Sequence, residues 1–421
     1  MPGICRRVWG TLLPGFSGKM TQEEKEKLQR CIPRAVVYEE PDQLVVKAED
    51  WRGRPNILDN STVLSFDGKE NKYFKEQAGI DESLLQAVSG SKAKPKQGLD
   101  PSLWSLDRID QRELPLDGSY QFGSEEMETG KGVTIYVIDS GIRSSHQEFA
   151  KADGTGSRVK SGYDFVSDDE DASDCDGHGT HTSGTAAGIK VGVAKGADIV
   201  SVRILDCDGS GSVSDTVAAL DWVAEHAQKP AVALLSLGIP TGSWSKILED
   251  ATRALVRDFG VTTVVASGNS QVDACYIAPA NVPEVITVAA TDIADKFTDK
   301  PAAIDAIYYW SNLGSCVDVF APGVDIYSAC GSDKRCEKLN DKAYTISTGT
   351  SMAAPQVAGV AALYLQKHPD ATPAEVKDAI LSSSTTDAID ERFFMSGTPN
   401  SLLYSKLLGN TVSSFEGPPQ P

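Results

Sequence analysis

The stretch STGTSMAAPQVAGVAAL, residues 347–363, decides how this chain folds. Gly349 and Thr350 read as a turn. The small apolar residues after Ser351 read as one closely packed helix running to about Lys367. Pro355 lacks an N–H and would break a helix interior, but it is tolerated near the first turn. A helix that opens at a serine offers that position free N–H groups and the positive end of the helix dipole, both suited to a developing oxyanion. The plainer reading of the serine is an ordinary N-cap.

Outward from this helix, apolar runs recur at 133–138 (VTIYVI), 199–205 (IVSVRIL), 232–237 (VALLSL), 262–267 (TTVVAS), 285–290 (VITVAA) and 317–321 (VDVFA). Helical patterns fall between several of them. Val213, Val217, Leu220 and Ala224 mark one face; Ile247, Ala251, Ala254 and Leu255 mark another, closed by Gly260. Near-continuous apolar strands alternating with helices predict an α/β fold, a parallel twisted sheet flanked by helices. Ligands of such sheets sit beyond the carboxyl ends of the strands. Asp139 in IYVIDSGI and Asn269 in VASGN fall just past two such ends. No internal repeat is evident.

A serine hydroxyl is a poor nucleophile until a histidine takes its proton and a buried carboxylate holds that histidine in one tautomer. The chain offers one residue of each kind in a glycine-rich turn: Asp139, His178 in DGHGTHTSGT, and Ser351. Asn269 adds a side-chain amide that, with the Ser351 N–H, would supply two oxyanion donors. Simpler readings stand beside these. Asp139 alone reads as a turn cap and Asn269 as a turn residue beside glycine. His178 and His181, three apart, resemble a metal pair, but zinc peptidases use H-E-x-x-H and no glutamate is present here. A Gly-x-Ser-x-Gly elbow would point to an α/β-hydrolase; Ala353 stands where its second glycine belongs.

The net charge of −19 over 421 residues argues against nucleic-acid binding, which needs a basic footprint. No run approaches the length of a membrane span. The N-terminal segment has a basic patch without an apolar h-region, so it does not read as a signal peptide. Eight cysteines, an even number, suggest disulfides and an oxidising compartment; buried thiols in a cytosolic enzyme are the alternative. The acidic run SDDEDASDCD, 167–176, reads as a solvated loop, with calcium as the second reading.

The strings around Asp139, His178 and Ser351, in that chain order, resemble the subtilisin-type serine proteases, and most closely the proteinase K and aqualysin branch. The resemblance covers about residues 104–405. It implies catalysis by Asp139, His178, Ser351 and Asn269, and a structural role for His181. Substrate would pair with Gly209, Ser210 and Gly211 on one side and Ser236, Leu237 and Gly238 on the other, with Ala266, Ser267 and Gly268 beside it. The family's second glycine after Gly238 is Ile239 here, which would reshape the primary pocket. Ser270 and Ile277 match uncharged pocket positions, so a broad or apolar preference is expected. Disulfides Cys175–Cys207, Cys275–Cys316 and Cys330–Cys336 are implied, with Cys5–Cys31 as a further pairing. Structural calcium is implied at Asp107, Asp110, Gln111, Asp117 and Ser119, and at Asp318 with the carbonyls of Pro283 and Val285.

Residues 1–48 resemble an inhibitory propeptide, with a helix over FSGKMTQEEKEKLQRCIP and an E-x-D-x-x-V ending at Glu40, Asp42 and Val45; the expected first strand is not evident. Residues 49–100 read as a polar linker carrying an Asn60 sequon, 101–408 as the catalytic domain, and 409–421 as a tail. The expectation is a secreted, monomeric endopeptidase acting on polypeptides, inhibited by its own propeptide and cut free near residues 88–103. The alternatives are a catalytically silent homologue serving as a binding module and a cytosolic ester hydrolase.

Overall fold

The structure is a computed structural model. It describes residues 103–120, 129–239, 245–293, 305–332, 334–336 and 338–406, together with the backbone of strands at 5–9, 15–18 and 44–47. The expected helix after Phe16, the linker, Asn60, the Cys5–Cys31 pairing, the release point and the tail lie outside the described residues.

The strands in chain order are β1 (Cys5–Trp9), β2 (Gly15–Gly18), β3 (Leu44–Lys47), β4 (Thr134–Asp139), β5 (Val159–Asp164), β6 (Asp198–Arg203), β7 (Ser210–Ser212), β8 (Ala231–Leu235), β9 (Leu237–Gly238), β10 (Thr262–Ala266), β11 (Ile286–Asp292), β12 (Ala306–Ile307), β13 (Val319–Pro322), β14 (Ile326–Ala329), β15 (Tyr344–Ser347), β16 (Thr385–Thr386) and β17 (Ser401–Leu402). The α-helices are α1 (Trp104–Ile109), α2 (His178–Ala187), α3 (Val213–His226), α4 (Lys246–Arg257), α5 (Thr350–Lys367) and α6 (Pro373–Ser383).

The main sheet runs β16-β17-β13-β11-β10-β8-β4-β6-β5, with β12 against β11. Its body from β13 to β5 is parallel throughout. Successive residues of one strand point to opposite faces, and here both faces are covered. Ile135 and Val137 enter a core built with α2 and α5. Tyr136 and Ile138 enter a second core under α3 and α4. That double burial is why the strands read as continuous apolar runs rather than alternating ones.

Several strands escape the sequence reading, among them β5 and β1. β5 (VKSGYD) is a sheet edge, and its middle residues are exposed. β1 (CRRVW) lies in the N-terminal unit, where its two arginines read as a basic patch rather than a strand. It pairs antiparallel with β2 and lies against α3. β2 also takes the first residues of the stretch expected to be helical.

Candidate active site

Asp139 ends β4 and is fully buried. A buried carboxylate needs donors, and Asp139 has them. It accepts from Ser140 N at 2.7 Å and from Thr182 Oγ1 at 3.4 Å. His178 Nδ1 lies 2.8 and 2.9 Å from its two oxygens. An ionised carboxylate only accepts, so Nδ1 carries the proton and Nε2 the basic lone pair. His178 is the first residue of α2. Gly179 follows because α2 presses on the strand end: a Cβ there would sit 2.2 Å from the Gly141 carbonyl.

Asp174 braces this corner, a role the sequence reading missed by taking 167–176 as solvated. It accepts from Ser140 Oγ at 3.0 Å, Gly177 N at 2.8 Å, Thr180 N at 3.1 Å and Thr180 Oγ1. Burial holds its carboxyl above the usual range, against those hydrogen bonds. The loop beside Asp139 and the turn before His178 thus hang on one side chain.

Ser351 is the second residue of α5. Its Oγ donates to the Ser236 carbonyl at 2.8 Å, and Ser236 Oγ donates back to the Ser351 carbonyl at 3.2 Å. That carbonyl is available because its partner along the helix would be residue 355, a proline without an N–H. Asn269 Oδ1 accepts from Thr350 N at 3.0 Å, which fixes the amide. Its Nδ2 is buried with no protein hydrogen-bond partner. Buried polar atoms are nearly always paired, so this donor marks a place built to meet something else.

A second residue the sequence did not signal, Asn312, clamps this side. Its Nδ2 donates to Ser267 O at 2.8 Å, its Oδ1 accepts from Ser270 N at 2.9 Å and Val272 N at 3.2 Å, and its own N–H donates to Gly268 O at 2.9 Å. Gly268 has φ +98°, and a Cβ there would lie 2.5 Å from Asn312 Nδ2. Ala266 ends β10, and Ser267 N donates to Val288 O at 2.9 Å, so this wall is held by the sheet.

These groups gather at the carboxyl ends of neighbouring strands. Asp139 ends β4, Ser236 follows β8, Asn269 follows β10, and β8 pairs with both of the others. The expected substrate segments flank a common gap, and strand β3 lies in it. Leu44, Val45 and Val46 pair antiparallel with Ser212, Gly211 and Ser210; Val46 and Lys47 pair with Gly238 and Leu237. Gly209, at φ +75°, turns the chain into β7. Ile239 is fully buried in the core under α3 and α4. Ile277 lies against Gly238.

The three implied disulfides are present. Cys175–Cys207 ties the loop before His178 to the one before β7; Cys275–Cys316 and Cys330–Cys336 close loops nearby.

Among the described residues, no three His, Cys, Asp or Glu side chains are grouped to hold a metal. The residues of the first expected calcium site lie in the 107–119 turn. Asp107 and Asp110 are both buried. Burial pushes the Asp107 carboxyl up to about 6 despite hydrogen bonds from Gly118 N and Asp117 N, and the charges of Asp117 and Asp110 add to the rise. Gln111 Oε1 accepts from Asp117 N at 3.1 Å, and Ser119 Oγ donates to Asp117 Oδ1 at 2.6 Å. The second expected site does not fit a metal. Asp318 and the carbonyls of Pro283 and Val285 all accept from Lys377 Nζ, a residue absent from the sequence reading.

The sequence profile of the Subtilase family matches residues 130–400. Alkaline serine exoprotease A of Vibrio alginolyticus is 46% identical over 304 residues, covering 72% of this chain and 50% of that protein. The extracellular serine proteinase of Thermus sp. (strain Rt41A) is 47% identical over 305 residues, covering 72% of this chain and 66% of that one. The crystal structure of a cold adapted subtilisin-like serine proteinase superposes with a TM-score of 0.62 at 44% identity, covering 73% of this chain and 98% of that chain. This chain spans about half the length of the Vibrio protein and about two thirds of the Thermus one. Asp139, His178, Asn269 and Ser351 all lie inside the matched segment, and by that match the chain belongs to the subtilase family.

Proposed function

We propose that this chain is a secreted serine endopeptidase that cleaves polypeptides through an acyl-enzyme and is made as a zymogen. The observation that carries the reading is the Asp139–His178 pair at the end of β4, beside β8, whose following residue Ser236 holds Ser351; β10, which Asn269 follows, lies on the other side of β8. His178 Nε2 takes the Ser351 Oγ proton as the oxygen attacks the substrate carbonyl, then delivers it to the leaving amine. Water enters by the same route in reverse and frees the acyl group. Asn269 Nδ2 and the Ser351 N–H receive the oxyanion. Asp139 keeps the imidazole in its productive tautomer.

Substrate adds as a strand between β7 and β9, so backbone pairing carries affinity. Uncharged Ser270 and Ile277 favour broad or apolar side chains. The zymogen reading is supported by β3, which lies in that gap and runs from Gly238 towards Ser236. Calcium at Asp107, Asp110, Gln111, Asp117 and Ser119 would offset the repulsion among these carboxylates and stabilise the domain without entering the chemistry. The catalytically silent alternative is disfavoured, since all four catalytic positions are intact.

The test is hydrolysis of a chromogenic apolar peptide by purified protein, with N-terminal sequencing of the active form. The expected result is turnover blocked by a serine-directed inhibitor, absent in Ser351→Ala, and borne by protein cut near residues 88–103. Equal turnover by Ser351→Ala overturns the mechanism; full activity with residue 1 still attached overturns the zymogen.

A further inference from the structure

The Lys377 head group sits in a small cage of oxygen atoms. Its Nζ lies 3.0 Å from Pro283 O, 2.7 Å from Val285 O and 2.8 Å from each Asp318 oxygen. An ammonium has three N–H donors, and the cage presents three acceptor groups, two carbonyls and one carboxylate. Asp318 is set rigidly: its Oδ2 also accepts from Thr287 N at 2.8 Å, and its own N–H donates to Thr287 O at 3.0 Å. Lys377 is set as firmly. It lies on α6, whose start carries a full capping box between Thr372 and Glu375 and a proline at the first turn. The cage therefore joins α6 to the segments entering β11 and β13.

Two peptide carbonyls and a carboxylate are hard oxygen ligands of the kind that bind calcium. The ammonium occupies their meeting point with like charge, so a divalent ion and the lysine exclude each other. We propose that Lys377 is the built-in cation of this site, that the intact chain binds no calcium there, and that removing the head group turns the cage into a calcium site. The consequence is independence from supply. Stabilisation by a bound ion disappears as free ion falls, whereas a cation on the chain stays at any calcium level.

The experiment compares full-length chains carrying Ser351→Ala, which prevents self-digestion. Bound calcium is counted by equilibrium dialysis, and melting is followed in EDTA and in millimolar calcium. Lys377→Ala is expected to bind one calcium more per chain than its parent, to melt lower in EDTA, and to recover that loss in calcium. Asp318→Asn, with Lys377 in place, is expected to leave the calcium count unchanged. Equal counts in parent and Lys377→Ala overturn the proposal. A calcium ion lost on Asp318→Asn also overturns it, and that arm decides the matter if Lys377→Ala fails to fold.

Discussion

The two halves of the candidate active site are built on opposite principles. Around His178 the orienting groups are saturated: Asp139 takes hydrogen bonds from the backbone, a threonine and the imidazole, and Asp174 holds the loops on both sides. Around Ser351 the scaffold is saturated as firmly through Asn312 and Thr350, yet Asn269 Nδ2 is kept without a protein partner. A group that only positions another gains by spending every hydrogen bond. A group that must meet a transient charge has to hold one in reserve.

Substitutions in the two halves should therefore differ in size. The largest effect is expected from Asp139→Asn, which keeps the shape but presents the histidine in the wrong tautomer. A fall of about 10⁴ in kcat with little change in KM is expected, read with a chromogenic peptide across pH; a loss below tenfold would break the comparison on its first side. Asn269→Ala removes the reserved donor, and kcat should drop by about 10²–10³ while KM holds. Were KM to rise instead, Asn269 would be binding the ground state. The smallest effect is expected from Asn312→Ala, which touches no substrate but loosens the wall carrying Asn269. A shift of a fraction of an ångström there should lower kcat by about 10- to 100-fold. It should also lower the melting temperature, since Ser267 O and two backbone N–H groups lose their partner. A lower melting temperature with unchanged kcat would make Asn312 structural only.

What could be read in advance follows the same division. The buried strands were legible because burial on both faces forces an unbroken apolar run, as in VTIYVI. β5 was not, because an edge strand with exposed residues carries no such pattern. The four site residues were legible because each lies in a run of glycines and small residues that close approach demands, as the contact between Gly179 and Gly141 shows. Asp174, Asn312 and Lys377 were not. Each is an ordinary polar residue that ties to another segment, Asp174 to Ser140, Asn312 to Ser267, and Lys377 to Pro283, 94 residues away. The expected second calcium site is a case in point: its oxygen ligands were readable locally, and the Lys377 that meets them only in three dimensions.

The strand Leu44–Lys47 between β7 and β9 also sets how occupancy of the cleft responds to dilution. In the zymogen proposed above it would compete, as part of the same chain, at an effective concentration on the order of millimolar, which no dilution lowers. Once the chain is cut behind it, the same four residues belong to a separate molecule whose hold weakens as the solution thins. The protein would then be quiet where it is made and concentrated, and active where it has spread.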